Sequence, residues 1–236
     1  MEKPILKAIG LSKVYNQTTV LDLDHLQINQ GETVGLIGNN GAGKTTLFRL
    51  ILDLIEASSG EVHLFGHNVR ASEHWKNSTG AFIDEGFLID YLSPEEYFRF
   101  LAKLYDLSPE ALEAFLKRWE PLFNDEILGK KKKYIRDLSK GNQKKVGIAA
   151  AMMNNPSFLL LDEPFANLDP TSQIRLKKML SEAAHEQGIS MFISSHDLNH
   201  VTEVCKRTII MEKGKVIRDF PTSESTLREL ESYFAV

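Results

Sequence analysis

A chain of 236 residues, 42% hydrophobic and 25% charged, is long enough for one large or two small domains around a sizeable core. Its formal charge of −4 gives no electrostatic basis for general binding to nucleic acid or to an anionic membrane, and no nucleic-acid partner is expected. Single Cys205 excludes an internal disulfide framework and fits a reducing cytoplasm, Met1-Glu2-Lys3-Pro4 begins no signal peptide, and no apolar run approaches the ~20 residues of a membrane span, so direct membrane insertion is not expected.

In chain order, Ile5 to Tyr15 and Val20 to Ile28 alternate apolar with polar residues around Asn16-Gln17 and predict an antiparallel pair. Thr33-Val34-Gly35-Leu36-Ile37 reads as a buried strand, and Leu47 to Leu52 as the start of an amphipathic helix. Between them lies Gly38-Asn39-Asn40-Gly41-Ala42-Gly43-Lys44-Thr45-Thr46, in which Gly38, Gly43, Lys44 and Thr45 match G-x-x-x-x-G-K-[ST]. Glycines at these places let successive N–H groups turn inward as an anion nest, and the helix that follows aims its positive dipole end at the same phosphates. Lys44 is expected at the β- and γ-phosphates and the Thr45 hydroxyl on Mg²⁺.

Glu61 to Gly66 is a further short strand, and Gly80-Ala81-Phe82-Ile83-Asp84 a core strand that breaks off at Glu85-Gly86. From about residue 90 to 155 there is no strand signal. Ser93-Pro94-Glu95-Glu96 and Ser108-Pro109-Glu110 each open a helix with an N-cap and a proline at the first position. An α-helical subdomain inserted into an α/β core is the simplest reading. Lys130-Lys131-Lys132-Lys133 is the one charge run, read as a solvated loop. Leu138-Ser139-Lys140-Gly141-Asn142-Gln143 opens a helix through Val146, Ala150 and Met153, and Ser139 and Gly141 at its start make a second anion site. A second phosphate-binding helix end about a hundred residues from the first makes sense if it serves a nucleotide on another subunit.

Phe158-Leu159-Leu160-Leu161 is a fully buried strand ending in Asp162-Glu163-Pro164. Paired acids at the carboxyl end of such a strand face the crevice where α/β folds bind ligands. Asp162 is expected to hold Mg²⁺ through its hydration shell, and Glu163 to polarise the water that attacks the γ-phosphate. Asp169-Pro170 opens a long helix through Ala184. The strand Ile189 to Ser194 leads to His196, expected to donate a hydrogen bond on the γ-phosphate side and to orient water or Glu163. Asp197 to Val204 is a helix, and Thr208 to Met211 with Lys215 to Ile217 a closing hairpin. The remaining histidines, the His63 and His67 pair included, show no convincing metal spacing.

Taken together, the motifs resemble those of the ATP-binding subunits of the ABC (ATP-binding cassette) transporter family over essentially the whole chain. Gly38 to Thr46 resembles the Walker A loop, Phe158 to Glu163 Walker B with its catalytic Glu, Leu138 to Asn142 the family signature, Asn167-Leu168-Asp169 the D-loop, and His196 the switch histidine. Tyr15 lies where the family has an aromatic residue stacking on adenine. The resemblance implies a P-loop NTPase (RecA-like) α/β core with an antiparallel β subdomain, formed by 1–85 and 156–236, and a helical subdomain over 86–155. It also implies an ATPase binding ATP and Mg²⁺. Two copies would dimerise head to tail around two MgATP, each held between one Walker A and the partner's signature, in a homodimer that drives multi-span membrane permease subunits from the cytoplasmic face.

Two motifs depart from the family pattern. Lys140 stands for the first signature glycine, with Asn142 for its glutamine, and Asp84 stands for the glutamine of the Q-loop, where it is expected to ligate Mg²⁺. Both resemble a subset of bacterial exporters, including antibiotic-resistance ATPases. The chain also ends at Val236, soon after the last core elements, leaving no room for the regulatory domain that some importer ATPases carry. An exporter is therefore expected. The rival is a soluble ABC ATPase serving assembly or translation.

Overall fold

A computed structural model describes residues 3–124, 127–129, 133–223 and 226–227. The alternating segments at the start form β1 (Pro4–Tyr15) and β2 (Thr18–Asn29), joined through Asn16 and Gln17, both at positive φ. Then come β3 (Thr33–Ile37), α1 (Lys44–Ile51), β4 (Ser59–Leu64), the two-residue β5 (His67–Asn68) and β6 (Thr79–Phe82). Three helices follow: α2 (Pro94–Leu104), α3 (Pro109–Phe123) and α4 (Lys140–Ala151). The chain continues with β7 (Phe158–Leu161), α5 (Pro170–Gln187), β8 (Ser190–Ser195), α6 (Leu198–Val204), β9 (Arg207–Glu212) and β10 (Lys215–Pro221).

Two sheets organise these elements. The larger has the order β10-β9-β3-β8-β7-β6, parallel from β9 to β6 with β10 added antiparallel at the edge. The smaller, β2-β1-β4-β5, is antiparallel throughout. Each buried strand of the larger sheet serves two cores, because successive side chains point to opposite faces. Phe158 and Leu160 join Phe192, Val34 and Leu36 on the face that covers α1 and the smaller sheet. Leu159 and Leu161 join Met191, Ile193 and Ile37 on the face that covers α2 to α6. Helix α1 is thus held between the sheets, with Phe48 against Phe192 at 4.9 Å between ring centroids.

The helical region has its own aromatic centre, where Trp119 lies 6.3 Å from Phe123 and Phe98 lies 5.9 Å from Phe123. Ser93 and Glu96 form a reciprocal capping box at α2, and Ser108 caps α3, as their Ser-Pro-Glu openings predict. Helix α4 is buried on nearly all sides from Asn142 to Ala150.

The strand expected over Gly80 to Asp84 is shorter than its sequence suggests. Its ladder stops at Phe82, because the Asp84 carboxylate accepts from the Gly86 N–H at 2.7 Å and opens a 3-10 turn over Glu85–Phe87. In the lysine run, positions 130–132 fall outside the described residues, and Lys133 is exposed. Among the described residues no helix is long and apolar enough to cross a membrane.

Candidate active site

The carboxyl end of β3, at the centre of the parallel sheet, delivers the glycine loop to the start of α1. Gly43 ends the loop at φ 104, a left-handed conformation in which a Cβ would also meet the Val20 carbonyl oxygen at 2.9 Å. Asn39 accepts a backbone hydrogen bond from Ala42 at 3.0 Å, closing the turn around Asn40 and Gly41. Lys44 is buried and folds back over this loop: its ammonium donates to the Gly38 carbonyl at 2.6 Å and lies 3.5 Å from Glu163 Oε1. One residue on, the Thr45 hydroxyl donates to Asp162 Oδ2 at 2.6 Å; Thr46 continues the first turn of α1.

The ends of β7 and β8 supply the opposing wall. Asp162 is buried, and burial pushes its carboxyl pKa up, against the hydroxyl hydrogen bonds from Ser194 and Thr45 that favour its charge. Glu163 follows at φ 47, an uncommon backbone for a residue with a side chain. Its N–H donates to Ser194 Oγ at 3.0 Å, and its carbonyl accepts from the Lys144 ammonium at 2.8 Å. Its carboxylate then reaches Lys44 through Oε1 and His196 Nδ1 through Oε2, the latter at 2.8 Å. The sequence elements separated by more than a hundred residues therefore converge on one cleft: a cation, a hydroxyl, two carboxylates and an imidazole.

A second polar cleft, about 440 Å³, shares none of these side chains. Ser139 caps α4 by accepting from the Asn142 N–H at 3.2 Å, and Lys140, the first helical residue, is exposed. A Cβ on Gly141 would lie 2.6 Å from the Asn167 carbonyl, so glycine lets α4 approach the loop before α5. There Lys145 pairs with Asp169 at 3.6 Å. Asp169 caps α5, and hydrogen bonds from Ser172 hold its pKa down at about 2.

Tyr15 is exposed at the end of β1 with the Lys13 ammonium 4.7 Å from its ring centroid. Asp84 is engaged by Gly86 and by Arg49, whose guanidinium lies 3.5 Å away. Phe82 is buried in the protein's own core, whereas Phe87 is 54% exposed on a groove of about 370 Å³; Tyr91, 64% exposed, does not line it. Among the described residues there is no group of three or more His, Cys, Asp or Glu arranged for a metal. Sequence reasoning missed Ser194 and Lys144. Ser194 was visible as a polar residue ending an apolar strand; nothing local marked Lys144, whose partner lies nineteen residues away.

Comparison with known proteins gives the family and the fold. The family model described as ABC transporter matches residues 21–166. The bacitracin transport ATP-binding protein BcrA of Enterococcus faecalis is 34% identical over 225 residues, which are 93% of this chain and 70% of that protein. A solved ATP-binding subunit of an ABC transporter superposes with a TM-score of 0.82 at 28% identity, covering 98% of this chain and 93% of that one. The cbiO1 protein of Clostridium perfringens, described as part of the ABC transporter complex cbiONQ, gives 0.76 at 28% identity, with 99% and 92% covered.

Proposed function

The chain belongs to the ABC transporter family, and we propose that it is the ATP-hydrolysing subunit of an exporter, working as a head-to-tail dimer beneath separate membrane-spanning subunits. The fold is that of a P-loop NTPase and the activity that of an ATPase. Gly38 to Thr46 hold the triphosphate through backbone N–H groups and the dipole of α1, and Lys44 leaves its carbonyl partners for the β- and γ-phosphates. Tyr15 stacks on the base.

The donors beside the phosphates are oxygens from Thr45 and Asp162, 2.6 Å apart, which suit Mg²⁺ and its water shell. Mg²⁺ held by these two residues would supply the positive charge that offsets that of the phosphates. Asp84 adds a third oxygen if it exchanges Arg49 for this site. Glu163 accepts the proton of the attacking water, and His196 holds that carboxylate and faces the γ-phosphate.

The observation that carries this reading is the Glu163 carboxylate held between Lys44 and His196 at 3.5 and 2.8 Å. Glu163→Gln keeps the shape and removes the base. It is expected to bind MgATP while losing hydrolysis by at least about a hundredfold. Unchanged turnover would remove Glu163 from the role.

Ser139, Lys140, Gly141 and Asn142 form an anion site whose side chains share no contact with the chain's own Lys44, which supports use on a second subunit's nucleotide. Each chain carries both halves, so a homodimer contains two complete sites. On this reading 1–85 with 156–236 forms the nucleotide-binding core and 86–155 the subdomain that moves on it. The groove beside Phe87 receives an apolar helix of the permease, which keeps the subunit peripheral on the cytoplasmic face of the membrane. Export agrees with Lys140 and Asp84. No observation favours the soluble, non-transport alternative.

A further inference from the structure

Lys144 is a lysine inside the protein. It is 5% exposed on α4, one turn and a half beyond the Ser139 cap. Its ammonium donates to the Glu163 carbonyl at 2.8 Å and lies 3.9 Å from Glu85 Oε1, on the turn after β6. The Phe82 ring centroid is 6.0 Å away on another side. Burying an ammonium is costly unless its hydrogen bonds are replaced. Burial indeed pushes the Lys144 pKa down, against the charges of Glu85, Glu163 and Asp162. If filling space were all that this position required, an apolar side chain would do so at less cost.

The return for that cost is found at Glu163. Its left-handed backbone is fastened on both sides, by Ser194 Oγ at the N–H and by Lys144 at the carbonyl. An uncommon conformation persists only where the surroundings over-determine it. That conformation is the one in which the carboxylate meets Lys44 and His196. Lys144 thus joins three parts of the molecule: the helix that begins at Ser139, the turn that follows Asp84, and the end of β7.

We propose that Lys144 is a positioning residue for hydrolysis, fixing the Glu163 backbone from α4 so that the orientation of the water-activating carboxylate depends on where the helix bearing Ser139 to Asn142 stands. The proposal rests on the role given to Glu163 above. It makes hydrolysis responsive to α4 within the same subunit. A shift of that helix by an ångström or two breaks a 2.8 Å hydrogen bond without touching the phosphate loop.

Four proteins test it: the unaltered chain, Lys144→Met, Glu163→Gln, and the two changes combined. Each is measured for MgATP binding with a fluorescent analogue, for single-turnover and steady-state hydrolysis, and for thermal melting. Lys144→Met is expected to bind MgATP within about twofold and to keep KM within about twofold, while kcat falls at least about tenfold. In the Glu163→Gln background the same change should add no further loss, because both act through one carboxylate. Lys144→Arg, which keeps a long donor, should recover part of the rate. Lys144→Gln, with a shorter neutral head, takes the place of Lys144→Met in every comparison if that variant does not fold.

A folded variant with unaltered kcat, or losses that multiply in the combined protein, would overturn the proposal and leave the Lys144 contacts with Glu163 and Glu85 without a part in hydrolysis. Full hydrolysis by Glu163→Gln would instead overturn the reading of Glu163, so the two failures are told apart.

Discussion

Lys44 and Asp84 illustrate how differently single residues of this site can be tested. Lys44 is folded onto Gly38 and Asn39 while it faces Glu163, so its charge is stored where phosphates would draw it out. Lys44→Ala is expected to weaken MgATP binding by at least about tenfold, since a buried triphosphate would lack its principal cation. Equilibrium binding with a fluorescent ATP analogue reads this directly, and unaltered affinity would contradict it. Asp84 has oxygen chemistry suited to Mg²⁺ but is paired with Arg49. If it joins the metal during turnover, Asp84→Gln needs more free Mg²⁺ for half-maximal hydrolysis, and Asp84→Ala more again. Overlapping Mg²⁺ titrations for the three proteins would confine Asp84 to Arg49 and the turn. Lys44, Thr45, Asp162, Glu163 and His196 were legible in the sequence because each ends or follows a strand within a recognisable local pattern. Ser194 stood out only as a polar residue ending an apolar strand and Lys144 not at all, because their significance lies in hydrogen bonds across the sheet and from α4.

Helix starts were the most legible elements, since a cap is a local device. Ser93, Ser108, Ser139, Asp169 and Asp197 each accept from a backbone N–H two or three residues on. The two-residue β5 escaped, being too short to carry an alternation, and β6 was read as a strand but stops early because Asp84 commits the chain to a turn. The Asp169 cap makes a pH-dependent prediction. Its folded pKa, about 2, lies below the ordinary value of 3.8, so its stabilisation is present above the ordinary value and is lost as pH falls through about 2. Asp169→Asn retains a capping oxygen but cannot titrate. Urea midpoints measured from pH 5 to pH 2 should therefore fall less steeply for Asp169→Asn than for the unaltered chain. The exposure of Asp169 makes the difference small, a few tenths of a kcal/mol. Parallel curves would mean that the cap contributes nothing through its charge.

At the scale of the whole molecule, the two cores lie on opposite faces of the larger sheet, the phosphate loop at the carboxyl end of its interior strand β3 and α4 against its edge strand β6. The strand order could not be read from the sequence, because alternating strands and helices are compatible with several orders of a parallel sheet. The insertion of the helices could be read, because the strand pattern stops and resumes. The groove beside Phe87 lies between the β6 turn and α2, and so adjoins both the Asp84 turn and the helical region. Phe87→Ser with Leu88→Ser is expected to leave basal hydrolysis within about twofold while abolishing stimulation by the permease in reconstituted membranes. Normal stimulation would place the partner elsewhere.

The central claim is that each chain supplies half of two nucleotide sites, with Lys44 on one subunit opposite Ser139 on the other. Glu163→Gln, by retaining ATP, should trap that assembly. Size-exclusion chromatography with light scattering on this variant measures its mass with and without saturating MgATP. A monomer that becomes a dimer only with MgATP, and reverts when Ser139→Arg is added to obstruct the second cleft, is the predicted result. A Glu163→Gln protein that binds MgATP and remains monomeric would contradict the account.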